Sequence, residues 1–196
     1  ASMGIYVFNR DVLVRQLDND FADFGKHILP AALSHTRVFS YIFQGYWEDV
    51  GTIRAYFEAN LDSTSELPRF NFFDMSAPIF SRPLFLPGSK INGARVDHAV
   101  ISDGCIITHA DVHESVIGSR AIIGPGSHLD RTIVLGADDY ESAWSIEENA
   151  ALGRPRIGIG SNTRITNAII DKNARIGSGV VISPAGKPDN VDHPMY

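Results

Sequence analysis

The chain carries one cysteine, Cys105, in 196 residues. No disulfide framework can be built from a lone thiol, which fits a reducing compartment such as the cytoplasm. No apolar run is long enough to span a bilayer and no signal peptide is visible, so nothing points to a membrane. Basic charge is not in excess either. With 17 Lys and Arg against 23 Asp and Glu, the net charge of -6 gives no general nucleic-acid surface. The low hydrophobicity of a disordered chain is missing too, since 44% of the residues are hydrophobic and 20% charged. An initiating Met is also lacking. The opening Ala-Ser-Met-Gly-Ile-Tyr-Val-Phe reads at once as a strand with no neighbour, so we expect a piece of a longer polypeptide whose missing part precedes Ala1. The end at His193-Pro194-Met195-Tyr196 has no visible cap.

Periodicity is what the chain has in abundance. Aliphatic residues recur at Ile101, Ile106, Val112, Ile117, Ile123, Leu129 and Leu135, then at Ile159, Ile165, Ile170, Ile176 and Ile182. Steps of about five or six residues fit neither a helix, near 3.6, nor a strand, near two. Three such steps make one coil of a parallel β-helix, in which each short strand stacks on the strand one coil earlier. Inward aliphatics then form columns, each buried one contributing about 1.5–3 kcal/mol, and Gly and Asn turn the corners. Taken alone, such a prism reads as a scaffold or an assembly surface, and Cys105 as a small apolar member of it.

Ahead of the coils the pattern is mixed. Ile5–Phe8 and Arg37–Phe43 read as strands. Helices are expected over Asp11–Leu17, over Phe24–Leu33 with Asp23 as N-cap and a break or kink at Pro30, and from Thr52 to near Leu61. Ser63–Gly93, with Pro68, Pro78, Pro83 and Pro87, reads as an extended linker. The expected division is therefore 1–62, a linker over 63–93, and a β-helix over 94–196. Between Leu135 and Ile157 the repeat is interrupted by an acidic insertion carrying Asp138, Asp139, Glu141, Glu147 and Glu148. The chain after it is basic, with Arg154, Arg156, Arg164, Lys172 and Arg175. That asymmetry is what an anion site needs; solvated corner residues of a prism would look the same.

Four segments carry more than pattern: Ala1-Ser-Met-Gly-Ile-Tyr6, Asp23-Phe-Gly-Lys26, Tyr46-Trp-Glu-Asp-Val-Gly-Thr52 and Gly136-Ala-Asp-Asp-Tyr-Glu141. With Ile157-Gly-Ile-Gly and Ala168-Ile-Ile-Asp-Lys-Asn-Ala-Arg-Ile-Gly177, they make the whole chain resemble the C-terminal part of the ADP-glucose pyrophosphorylase (glucose-1-phosphate adenylyltransferase) family, its plant and cyanobacterial branch more than its enteric one. The resemblance implies a mixed fold: an α/β remnant of a nucleotidyltransferase domain, then a left-handed parallel β-helix. It implies synthesis of ADP-glucose and pyrophosphate from ATP and glucose 1-phosphate, for glycogen or starch. The family's ATP loop and phosphate-binding Lys are not found here, so this chain alone is expected to be inactive.

By the same resemblance Ser2, Tyr6, Asp23 and Phe24 line a glucose 1-phosphate pocket, Trp47 walls the sugar, and Asp49 helps hold Mg²⁺. Each also has a plainer reading. Ser2 can fill a strand position and Tyr6 a core. Asp23 can be only a cap, Trp47 a packing residue, and Asp49 a charge placed well before a helix start. The resemblance further implies effectors that are phosphorylated metabolites, bound by Lys172 and Arg82, although Leu84 stands where a basic residue is expected. It implies a homo- or hetero-tetramer, located in the cytoplasm or, in a plant, the plastid. Two other readings stand beside it: a non-catalytic assembly and effector-binding module, and a related sugar nucleotidyltransferase with another base or sugar. A β-helix acyltransferase using His98, His109, His113 or His128 is a distant further reading.

Overall fold

The structure is a computed structural model that describes residues 2–188. The chain divides into two compact units, Ala1–Asp49 and Val50–Tyr196.

The first unit is built from short local elements. α1 (Arg10–Gln16) follows Asn9, whose side chain makes no cap bond. The Asp23 carboxylate accepts from the Lys26 N–H and starts a wide π-type turn over Phe24–Ile28, which passes into α2 (Leu29–Ala32). Pro30 sits in the first turn of α2, where its missing N–H costs nothing. It divides the expected helix into two turns of different pitch instead of ending it. Gln16 ties α1 to the chain beyond α2, with its Nε2 2.9 Å from the His35 ring nitrogen and 3.3 Å from Thr36 Oγ1.

Neither strand expected in this unit forms. Ile5–Phe8 and Arg37–Phe43 are extended without joining a ladder. Ile5, Val7, Phe39, Tyr41 and Ile42 are 73–97% exposed. β-branched and aromatic residues favour a pleated surface only when a neighbouring strand supplies the ladder and packing, and here the backbone has none.

The second unit opens with α3 (Ile53–Asp62), capped by the Thr52 hydroxyl accepting from Ala55 N–H. An irregular stretch follows. The β-helix then begins with β1 (Lys90–Asn92), in the last part of the stretch read as linker, and continues with β2 (Arg95–Ile101), β3 (Ile106–Thr108), β4 (Asp111–Ile117), β5 (Ile122–Ile123) and β6 (His128–Val134). After α4 (Ala143–Ala151) come β7 (Gly158–Ile159), β8 (Arg164–Ile170), β9 (Arg175–Ile176) and β10 (Val181–Ile182). All pairs are parallel, in the orders β1-β3-β5-β7-β9 and β10-β8-β6-β4-β2.

The long strands bend once, so each supplies two sides of the prism. The bends fall at His98, Glu114, Arg131 and Asn167, all at positive φ between 41° and 49°. Three aliphatic columns fill the interior: Ile107–Ile123–Ile159–Ile176, Val112–Leu129–Ile165–Ile182, and Ile101–Ile117–Val134–Ile170. Ile107 and Val134 therefore take the inward places expected of Ile106 and Leu135. Side chains alternate across a strand, and Ile107 is 0% and Val134 5% exposed while Ile106 and Leu135 are half-buried.

Buried hydroxyls finish the corners where the backbone ladder breaks. Ser115 Oγ donates to the His113 carbonyl and accepts from Thr132 N–H. Ser127 Oγ donates to the Gly160 carbonyl and accepts from Thr163 N–H. Thr163 Oγ1 donates to the Gly177 carbonyl. These bonds stitch one coil to the next, so the fully buried hydroxyls are satisfied.

Candidate functional site

In the first unit the π-type turn brings four residues together. Ser2 Oγ lies 3.0 Å from Tyr6 OH, and Gly4 N–H donates to the same Ser2 oxygen. The Tyr6 ring stacks on Phe24 with centroids 6.0 Å apart and planes 19° apart, and Phe8 packs at 5.9 Å on the same ring. Asp23 Oδ1 and Tyr6 OH approach Gly25 from two directions, lying 3.5 and 4.0 Å from where a Cβ would stand. Asp23 is held ionised: the Lys26 N–H bond leads in lowering its pKa, its slight burial opposing, with the Lys26 charge adding to the fall. Two hydroxyls, a carboxylate and stacked rings in one place are suited to a polyhydroxylated ring, which needs polar partners at its edge and an apolar wall.

Trp47 and Asp49 belong to the same unit, at its far end in the chain. Trp47 is 43% exposed, and no ring contact or hydrogen bond joins it to the Tyr6–Phe24 stack among the described residues. Asp49 is an exposed carboxylate two residues farther on. A carboxylate is a hard oxygen donor of the kind Mg²⁺ takes one or two of, completing its shell with phosphate oxygens and water. Asp49 therefore fits one position around such an ion.

In the second unit, Lys172 and Arg82 are both exposed, and no hydrogen bond or ion pair joins them among the described residues. Lys172 Nζ is 2.8 Å from Asp138 Oδ1. Asn173 Nδ2 donates to Asp138 Oδ2, and its Oδ1 accepts from Asp138 N–H. The bond from Lys172, followed by that from Asn173, holds Asp138 below the usual carboxylate range.

Glu141 is the residue whose role the charge pattern did not disclose. Its side chain is only 5% exposed, and its carboxylate lies 2.7 Å from Arg175 Nη1 and 3.9 Å from Arg156 Nε. It also accepts from Ile157 N–H at 2.8 Å. Burial pushes its pKa up, but the Ile157 N–H and the Arg175 guanidinium outweigh this and hold it low. Tyr140 OH donates to the Gly104 carbonyl, and the Arg120 guanidinium sits 6.0 Å above the Tyr140 ring. The acidic insertion, which carries α4, is thus clipped at its root to the basic coil beyond it. Much of the sign asymmetry in the sequence is satisfied internally. A Tyr–Glu pair at the edge of an insertion, followed by Arg at the next coil, is the signal that could have revealed the clip.

The comparisons with known proteins agree across both units. The profile of the GLGC left-handed parallel beta-helix domain matches residues 84–196, and that of the nucleotidyl transferase domain matches residues 1–66. The chain is 46% identical over 187 residues to the wheat (Triticum aestivum) glucose-1-phosphate adenylyltransferase small subunit, chloroplastic/amyloplastic, covering 93% of this chain and 40% of that protein. It is 42% identical over 197 residues to the maize (Zea mays) large subunit 1 of the same enzyme, covering 99% of this chain and 38% of that protein. The chain thus spans about two fifths of the length of the curated relatives it matches. Those relatives are named as subunits of one enzyme. Among the described residues, no helix is long and apolar enough to cross a membrane.

Proposed function

Because the chain belongs to the family of the GLGC left-handed parallel β-helix domain, we propose that its parent protein is a glucose-1-phosphate adenylyltransferase. The single observation that carries this reading is coverage: similarity to subunits of that enzyme takes in 93–99% of the chain, and so both the nucleotidyltransferase match and the coils.

In this reading a phosphate oxygen of glucose 1-phosphate attacks the α-phosphorus of ATP. A phosphorus–oxygen bond forms to the sugar phosphate, the bond to the β-phosphate oxygen breaks, and pyrophosphate leaves with the negative charge. Ser2, Tyr6, Asp23 and Phe24 bind the sugar phosphate, and Trp47 covers one face of the sugar. Asp49 holds Mg²⁺, which when bound screens the phosphates and fixes their geometry. Lys172 and Arg82 bind phosphorylated effectors, the ammonium as a point charge and the guanidinium as a fork. The parent assembles as a homo- or hetero-tetramer in the cytoplasm or, in a plant, the plastid. The 196-residue chain by itself turns over no substrate.

The test is pyrophosphate release by the parent protein supplied with ATP, Mg²⁺ and glucose 1-phosphate. Activity that falls about 100-fold in Asp49→Asn is the expected result, of the size that loss of an electrostatic partner of the transition state produces. A parent that forms no ADP-glucose defeats the proposal. An active parent whose rate is untouched by Asp49→Asn removes Asp49 from the reaction. Sedimentation of the parent as a monomer at micromolar concentration would sink the tetramer.

A further inference from the structure

We propose that the β-helix carries a second, transition-metal site, formed by Asp97 and His98 of β2 with His113 of β4 and suited to Zn²⁺. One ligand atom from each of these residues lies within 4.8 Å of the others. The coil register produces the cluster. Asp97 pairs with His113, and His113 with Asp130, so carboxylate, imidazole and carboxylate are stacked in one column on successive coils. His98 occupies the corner immediately after Asp97.

The carboxylate of Asp97 is shared between the two rings. Its Oδ1 is 3.0 Å from His98 Nδ1, and its Oδ2 is 3.7 Å from His113 Nε2. The rings meet edge to face at 6.3 Å, which lets a nitrogen of each point at the same carboxylate. Donors around a tetrahedral Zn²⁺ at about 2.0–2.1 Å are about 3.3 Å apart. Small side-chain rotations therefore close the observed spacing around an ion, which displaces whatever protons sit between nitrogen and oxygen.

Asp130 is the most telling residue. Its Oδ1 is 2.8 Å from His113 Nδ1. Because a carboxylate can only accept, that contact keeps a proton on Nδ1 and leaves Nε2, which faces Asp97, as the nitrogen that can give up its proton to a cation. A carboxylate holding the far nitrogen of an imidazole is the arrangement that orients metal-ligating histidines and raises their basicity. Arg131, next along the chain, does not oppose a cation here, because it is engaged by Glu114 at 2.9 Å and by Asn167.

Two imidazoles and one carboxylate make a borderline donor set. It selects Zn²⁺, and its surrogate Co²⁺, over the hard Mg²⁺, which prefers oxygen alone. The site is therefore chemically unlike Asp49. All three ligands are exposed, so at least one coordination position is left for water or a group from another molecule. The same sheet carries an internal control. Asp111 and His128, 3.0 Å apart, have the same chemistry with a single imidazole.

Cobalt titration of the 196-residue chain at pH 7.5, followed by visible absorption, tests the site. The expected result is a saturable band at one equivalent, displaced by Zn²⁺ and not by excess Mg²⁺. His98→Ala and His113→Ala should each weaken binding at least 10-fold, Asp130→Asn about 10-fold, and His128→Ala not at all. Far-ultraviolet dichroism checks that each variant retains the coils, and His113→Gln replaces any alanine variant that does not. A wild-type chain with no saturable band overturns the proposal. So does a band of unchanged affinity in both histidine variants, or one that His128→Ala weakens as much.

Discussion

Residues 90–182 and residues 2–49 are held together by different physics. In the coils, three columns of aliphatic side chains are buried along their middle and half-buried at their ends, and every strand has a parallel partner. Among the described residues of the first unit only Gln16, Ile28 and Ala32 are buried, while Val7, Phe39 and Tyr41 are at least 85% exposed. Its order comes from a cap, a ring stack and a few hydrogen bonds. A repeat supplies its own neighbours, since each coil is covered by the next. A segment without repetition must find a partner elsewhere, and its exposed apolar residues form the kind of surface other protein normally covers.

Core truncation should break this contrast most visibly. Ile165→Ala removes a 0% exposed side chain from the middle of a column and should cost about 2–5 kcal/mol. Val7→Ala, at 97% exposure, should stay within about 0.5 kcal/mol. Thermal melts followed by dichroism measure both. Equal shifts would mean that the two regions are not held differently at all.

The clip at the root of the insertion comes next. Glu141→Ala leaves the Ile157 N–H without its acceptor and Arg175 with the Pro155 carbonyl alone, and should cost about 1–3 kcal/mol, the size expected for leaving a desolvated donor unsatisfied. The sign of the pH dependence follows from the lowered pKa of Glu141. Its contribution is fully present above the ordinary value of 4.5 and is lost as pH falls through the lower folded value. Asp23, Asp74 and Asp138 are lowered too and act in the same sense. The stability difference between the wild type and Glu141→Gln isolates the clip. It should be constant from pH 7 to about 5 and shrink below about 4; a difference that grows on acidification would refute the assignment.

The same contrast explains what could be read from the sequence. The coils were legible because a step of five or six residues excludes both helix and ordinary strand, and the register then follows. The two misplaced inward positions, Ile106 and Leu135, arose because adjacent aliphatic residues cannot be told apart without knowing where a strand bends. Strand pairing for Ile5–Phe8 and Arg37–Phe43 was not legible, because strand propensity says nothing about whether a partner is present. The cap at Asp23 was visible in the sequence; its convergence with Tyr6 on Gly25 was not, being a product of the wide turn. The column of Asp97, His113 and Asp130 was hidden for a related reason. Spacings of 16 and 17 residues look unconnected until each coil is closed.

The smallest effect separates α3 from the coils it touches. The helix contacts β4 and β6, buries Leu61, and begins at a Thr52 hydroxyl that accepts from Ala55 N–H at 3.1 Å. Thr52→Ala leaves that N–H to water and should cost about 1 kcal/mol, whereas Thr52→Ser keeps the acceptor and should cost far less. Where the loss is registered is the informative part. A lower melting temperature for the coils would mean that α3 unfolds together with β4 and β6 as one cooperative unit. Faster amide exchange confined to the first turn of α3, with the melt unchanged, would mean that the helix frays on its own. The contacts with two adjacent coils favour the first outcome, because a helix that packs across a ladder cannot unfold without exposing part of it.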